Sequence, residues 1–277
     1  MKKGTVRASI AIALLAAGPL FAQSKVNVRG GDRFSYNADS ELNITQLMQG
    51  QEMSVKLTSK GTTELMVKKT GKDRIQWSIG MPSMHITTTS DMMPGAGMDT
   101  SFSSEPADFV TDLKGNVIEE PKISENMLKT FSGLQGGGLE QMFLPAIAKS
   151  SRQGDTWEVT ETDTVPNPML AGSDMYIERT TTYYYDGPVD TMQTRAVRIR
   201  AEVTSMSISG SSEMMGAQIL VEGDGDMSTT SYFSEKDGLL LSSRASGVIS
   251  LRLVVTSEGE TEVVPIEYAM SATTTRN

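Results

Sequence analysis

Gly31-Asp32-Arg33-Phe34 reappears 123 residues later, from position 31 to position 154, as Gly154-Asp155-Thr156-Trp157. At the same offset, the stretch 109–115 is answered by the stretch 232–238. Self-similarity at a fixed distance is typical of a structural unit that a chain uses more than once. The echo therefore predicts one β-rich unit in two copies, the first starting near Gly31 and the second near Gly154.

The apolar residues around these anchors recur at every second position. Ile75, Trp77 and Ile79 alternate with polar residues, and the stretches 249–255 and 264–270 repeat the pattern. Such alternation is typical of antiparallel strands with one apolar and one wet face. Between residues 203 and 206 the apolar phase slips, which predicts a β-bulge or a bend near Thr204-Ser205. Pro265 interrupts another good run and predicts an edge strand or a bulge.

The predicted fold class is mainly β, with two sequence-related antiparallel curved sheets or half-barrels joined by a short helical segment. The helical segment is predicted because apolar residues from 127 to 134 and again from 139 to 147 follow helical spacing. The predicted division of the chain is a signal peptide over 1–22, a first β repeat over 23–121, a helical connector over 122–150 and a second β repeat over 151–277.

The N-terminus has the composition of a secretory signal. Lys2, Lys3 and Arg7 precede an uncharged apolar run from Ala8 to Ala22, and we expect cleavage after Ala22. No later stretch approaches 18 uncharged apolar residues, so no transmembrane segment is expected after signal removal. The protein is predicted to be exported from a bacterial cell, into the periplasm or the medium.

Charge and composition exclude several classes of function. Loss of the three basic residues of the signal takes the net charge from −9 to −12. Because phosphate backbones repel so acidic a chain, no nucleic-acid partner is expected. With one histidine and no cysteine, the chain lacks the residues for Cys-His catalysis and for zinc sites with several His ligands. The sequence predicts a protein that is not an enzyme.

Methionine is the compositional anomaly, with 19 residues against 7 Phe and 2 Trp. One interpretation is a deformable apolar surface, because thioether side chains adapt their shape. The predicted ligand groove consists of Met92, Met93, Met98, Met127, Phe131, Met142 and Phe143. The alternative is a Cu(I) site at Met81, Met84 and His85, because thioethers and imidazole suit copper. In the groove interpretation no cofactor is expected.

Several of these motifs together resemble an uncharacterised family of bacterial exported proteins, a domain of unknown function with many lipoprotein members. The resemblance rests on Gly154–Trp157, Gly50–Met53, Gly80–Pro82, Phe233–Leu240 and the Thr-rich C-terminus. It implies an exported β-rich domain and no established activity. This chain differs from the lipoprotein members because it has no cysteine for an anchor. More distantly, the predicted architecture is similar to that of periplasmic lipoprotein and lipid carriers.

Three hypotheses of function follow from these observations. The first is a non-enzymatic module that holds an apolar ligand or protein segment in the Met-rich groove, as a lipid or lipoprotein carrier does. The second is a Cu(I)-binding envelope protein. The third is a structural or interaction protein of the envelope, without a small ligand, whose methionines belong to the core.

Overall fold

A computed structural model describes residues 25–48, 50–91, 97–121, 139–145, 152–166, 173–191, 194–214, 217–257 and 259–277. The predicted signal peptide lies outside these residues. The described part is nearly all β. Its strands are β1 (Arg33–Met48), β2 (Gln51–Thr70), β3 (Arg74–Ser90), β4 (Met98–Asp112), β5 (Val117–Glu119), β6 (Thr156–Pro166), β7 (Asp174–Thr191), β8 (Thr194–Met214), β9 (Ala217–Ser234), β10 (Leu240–Ser257) and β11 (Glu260–Arg276).

All eleven strands belong to one antiparallel sheet, in the order β5-β4-β3-β2-β1-β11-β10-β9-β8-β7-β6. The mainly β antiparallel prediction is confirmed, and the strands of the two predicted sheets or half-barrels belong to one continuous sheet. The two parts of the chain are joined because β1 pairs with β11 from Tyr36 opposite Arg276 to Gln46 opposite Ile266. This pairing covers most of the edge that each long strand would otherwise leave unpaired, and unpaired edges are the usual liability of a β-sheet.

The two turns that carry the sequence echo have the same hydrogen bonds. The backbone N–H of Arg29 donates to Asp32 Oδ2 at 2.7 Å, and that of Arg152 donates to Asp155 Oδ2 at 2.7 Å. Each turn also contains a glycine with φ of 95°, at position 31 and at position 154. The left-handed backbone explains why glycine stands at both places. This match is what the repeat hypothesis predicts.

The two faces of the sheet differ in polarity, as the alternation predicted. We call the face that bears Trp77 and Val221 the inner face, and both of these side chains are buried. Positions on the opposite, outer face are mainly Ser, Thr and charged residues; those of β9, for example, include Gln218, Glu222, Asp224, Asp226, Ser228 and Thr230. Burial of the inner face supplies the main favourable term for folding a chain without disulfides.

The sheet is strongly curved, with the inner face concave. β4 and β9 are six strands apart in the order, which in a flat sheet separates them by about 29 Å. Two consecutive residues nevertheless link these regions, because Val26 N–H donates to Leu113 O at 2.8 Å and Asn27 N–H donates to Asp237 O at 3.1 Å. The sheet therefore curls until these two turns are neighbours.

The predicted helical connector is described only over residues 139–145. These form one 3-10 turn, Leu139–Met142, and Phe143 then makes an isolated antiparallel bridge with Leu239. The α-helical prediction for this short stretch is wrong, because pairing with the sheet interrupts the helical spacing after a single turn. Residues 122–138 and 146–150 of the connector lie outside the described residues.

The two local irregularities predicted from the sequence had different outcomes. The bulge is confirmed, because the register shifts between Glu202 and Ile208 in the pairing of β8 with β9. Pro265 does not lie on an edge strand, because β11 as a whole is central and pairs with both β1 and β10, but it does lie where β11 pairs with β10 alone. Proline is tolerated here because it lies one residue beyond Ile266, the last residue of β11 that pairs with β1.

Candidate functional site

The end of the inner face where β1 begins, the aromatic end, is closed by rigid rings. Trp77 is fully buried and stacks on Phe109, with ring centroids 6.0 Å apart. Phe143 meets the same indole edge-on at 5.4 Å, and Trp77 Nε1 donates to Thr111 Oγ1 at 2.9 Å. Offset and edge-to-face contacts are the favoured geometries for aromatic pairs. Side chains from both halves of the sheet, together with residues of 25–28 and 139–145, thus fill this end.

A few polar groups are enclosed in the aromatic end. Arg276 Nη1 donates to both carboxylate oxygens of Asp237, at 3.1 and 3.2 Å, and its guanidinium lies 5.5 Å from the ring centroid of Phe34. The buried hydroxyl of Tyr36 has no hydrogen-bond partner in the described part of the chain. Burial raises the pKa of Tyr36 well above its ordinary value. These groups belong to the structural core, and their arrangement does not point to a catalytic site.

The opposite end of the inner face, the methionine end, is built from flexible side chains. Its core comprises Met175, Met206, Ile208, Ile219, Val221, Leu251, Val264 and Ile266, flanked by Ile44, Ile177, Val203, Met227, Ile249, Leu253, Val255 and Tyr268. These residues come from β7 to β11 and β1. Tyr268 is the one aromatic residue in this described set. Met and aliphatic side chains adapt their shape more readily than the aromatic rings at the other end.

Glycines on the inner face leave room for the large side chains of neighbouring strands. Leu251 pairs with Gly223, and Met227 pairs with Gly247. A Cβ atom at Gly223 would lie 2.3 Å from Leu251 Cδ2, and one at Gly247 would lie 2.6 Å from Met227 Cγ. Because glycine has no side chain, Leu251 and Met227 can lie flat across the neighbouring strand. Glycine positions of this kind support strong curvature in a sheet.

An ion pair borders the methionine end at the β6 edge of the sheet. Arg179, which pairs with Met206, donates from Nε and Nη2 to Glu161 Oε2 at 3.0 and 2.8 Å. The Asp163 carboxylate lies 3.7 Å from the same guanidinium. Within the apolar set itself, burial raises the pKa of Tyr268, so this phenol stays protonated at neutral pH. The site is thus an apolar surface with a charged border on one side.

The structure does not bring the predicted groove residues together. Met98 begins β4 and is 66% exposed, whereas Phe143 lies against Gly115, in the turn after the far end of the same strand. The 15 residues of β4 separate these positions by about 45 Å. Phe143 belongs to the buried cluster of the aromatic end, and Met142 packs against that cluster. Met92, Met93, Met127 and Phe131 lie outside the described residues.

The residues of the predicted copper site are divided between the two faces of β3. Met84 is 2% exposed on the inner face, against Gly61, and Met81 is also buried. His85 projects from the outer face, with Nδ1 3.0 Å from Ser101 Oγ and Nε2 3.3 Å from Asp99 Oδ1. Among the described residues, no group of three His, Cys, Asp or Glu side chains is placed to hold a metal ion. Copper binding stays a prediction.

Sequence reasoning missed the residues that form the methionine end. The signal was present in the alternation of 249–255 and 264–270, which supplies Ile249, Leu251, Leu253, Val264 and Ile266. Consecutive methionines in a Gly-rich stretch are more conspicuous in a sequence than single methionines on strands.

The described residues include no helix that is long and apolar enough to cross a bilayer.

Comparisons with known proteins give no family for this chain. No family model matches it, and no curated protein matches it. Among solved structures, Pseudomonas aeruginosa OccK7 (OpdD) is similar with a TM-score of 0.30 and 6% identity, covering 89% of this chain and 99% of that chain. Salmonella typhi OmpF in complex with daunomycin gives 0.29 and 7%, covering 88% and 98%. TM-scores this low say nothing about fold or function.

Proposed function

We propose that this protein is an exported, non-enzymatic binding module that holds an apolar ligand, such as an acyl chain or a lipidated protein segment, against the methionine end. The observation that carries the proposal is the contrast between the two faces of one curved sheet. The concave face is apolar and the convex face is polar, so an apolar guest is shielded from water while the carrier stays dissolved.

The composition of the methionine end supports a ligand of variable shape. Met175, Met206 and Met227 have unbranched side chains with a polarisable sulfur, which adapt to different apolar partners. The glycines opposite Leu251 and Met227 let side chains lie flat rather than fill the concave space. The Arg179–Glu161 pair at the border gives the polar end of an amphipathic ligand a place outside the apolar surface.

The proposal is tested with cis-parinaric acid, a fluorescent C18 fatty acid, added to protein that has been unfolded, stripped of ligand and refolded. We expect saturable binding by the wild-type chain. The double variant Met206→Gln/Met227→Gln should bind at least tenfold more weakly, because a buried amide without partners costs about 1–3 kcal/mol. Met66→Gln is the matched control, because Met66 lies on the outer face of β2.

Two results contradict the proposal. One is a refolded protein that binds no parinaric acid, together with native mass spectra of cell-derived protein that show no bound apolar molecule. The other is equal affinity in the double variant and in the Met66→Gln control. Met206→Leu guards against a folding failure, because it keeps the volume and the apolar character of the site and should retain binding within about threefold.

A further inference from the structure

The alternation of apolar and polar residues fails on the outer face where β9, β10 and β11 lie side by side. Val263 pairs with Val254, and Val254 pairs with Leu220, so three apolar side chains lie side by side on β11, β10 and β9. Their chain neighbours Val264 and Val221 are buried on the inner face, which directs these three outward. The sheet is therefore apolar on both faces at this place, near the methionine end.

This outer cluster is accessible. Val263 is 52% exposed, and Leu47 on the adjoining strand β1 is 47% exposed. We call Leu47, Leu220, Val254 and Val263 the outer rim patch. Strands that are apolar on both faces are typical of sheets covered on both sides. Among the described residues no element packs over the outer face at this place, so the outer rim patch has the character of a surface that a partner covers.

The charges around the outer rim patch are mostly acidic. The exposed outer-face neighbours are Glu52, Glu213, Glu222 and Glu267, against the single base Arg252. Arg252 itself lies 3.5 Å from Glu222 and is balanced by it. A surface that fits this patch has an apolar centre surrounded by Lys and Arg, because complementary charge steers encounter and suppresses wrong partners.

The same charges disfavour two other occupants of the outer rim patch, a lipid bilayer and a second copy of this chain. The β10–β11 hairpin continues beyond the patch to Glu260 and Glu262. Entry into a bilayer would bring these carboxylates to the lipid first, at a high desolvation cost. A second copy of this chain would place the same acids opposite each other, because a two-fold interface joins identical surfaces.

We propose that the outer rim patch docks a protein partner whose contact surface is an apolar centre ringed by basic side chains. Four apolar residues form only the core of a small interface, so the complex is transient and salt-sensitive. This inference is independent of the ligand on the inner face, because the two surfaces lie on opposite faces of the sheet.

The probe is an acetylated (Lys-Val)4 peptide, with (Glu-Val)4 as its charge-reversed counterpart, titrated into the full chain by isothermal calorimetry. We expect the basic peptide alone to bind, and to bind more weakly as salt is raised. Val254→Ser/Val263→Ser should weaken binding at least fivefold. Val248→Ser should bind as wild type, because Val248 is on the outer face of the same strand but opposite Asp226 and Ala269.

Arg252→Glu keeps every apolar side chain in place and should tighten binding of the basic peptide, which covers the case in which the double variant fails to fold. Equal affinity in Val254→Ser/Val263→Ser and Val248→Ser would overturn the proposal, because net charge alone would then explain binding. Two other results also overturn it: sedimentation with phosphatidylcholine vesicles that the double variant abolishes, which indicates a membrane surface, and self-association that it abolishes, which indicates a second copy.

Discussion

The two ends of the inner face are lined by the same sheet but by different apolar side chains. The aromatic end buries five rings, Tyr36, Trp77, Phe109, Phe143 and Phe233, and is closed by segments from outside the strands. The methionine end has methionine, isoleucine, leucine and valine, with Tyr268 as its aromatic member. Aromatic rings pack in a few preferred geometries, whereas methionine side chains can adopt several conformations. The two ends of one sheet thus differ in the kind of apolar side chain that fills them.

The largest expected effect tests the aromatic end as the structural anchor. Phe143→Ala removes a ring that contacts Trp77 and Gly115, and should lower the free energy of unfolding by about 3–5 kcal/mol. Met206→Ala should cost less, about 2–3 kcal/mol, because a flexible neighbourhood collapses better around a cavity. Urea unfolding of both variants checks this. A larger loss for Met206→Ala would reverse the comparison.

A smaller effect on stability is expected when glycine is replaced by alanine in the turns at the two ends. Gly115 at the aromatic end and Gly50 at the methionine end both have positive φ, 88° and 78°, so alanine strains either backbone by about 1 kcal/mol. A Cβ at Gly115 would also lie 2.4 Å from Phe143 Cβ, while nothing lies within 4 Å of one at Gly50. Gly115→Ala should therefore cost about 1–3 kcal/mol more than Gly50→Ala in thermal unfolding. Equal costs would show that the turn around Gly115 relaxes freely.

The smallest expected effect is a loss of stability at acid pH. It involves the cluster of Asp186, Arg198 and Arg200 on the outer face near the aromatic end. A hydrogen bond from Arg200, with Nε 2.7 Å from Asp186 Oδ2, and the nearby Arg198 guanidinium hold the pKa of the Asp186 carboxyl below its ordinary range. A lowered folded-state pKa gives stability that is present above the unfolded pKa and is lost as pH falls through the folded value. The loss therefore belongs to the range below about pH 4.

Asp186→Asn should lower stability by up to about 1 kcal/mol at pH 7, and the difference from wild type should vanish near pH 2. The matched control is Asp190→Asn, because Asp190 is exposed on the same strand. Urea midpoints measured from pH 7 to pH 2 check this. A deficit that persists unchanged at pH 2 would show that the Asp186 charge is not its cause.

The alternation of apolar and polar residues predicted most of the strands of the fold. Alternation at Ile75, Trp77 and Ile79 assigned these side chains to a buried face, and all three are buried. The phase slip after Val203 located a bulge that the register shows. The candidate site was harder to find, because residues 206, 227 and 264 come from three strands that only pairing makes neighbours.

By itself the sequence determined the strands, the polarity of each face and the two matching turns, because each depends on residues within a few positions of one another. Only the tertiary structure decided that the chain forms one sheet and that one of its two ends is aromatic. Both depend on the pairing of β1 with β11 and on the links from Val26 and Asn27 to distant turns. Hydrogen bonds between remote segments leave no periodic trace in a sequence, so the arrangement of the strands in space determined where the site lies.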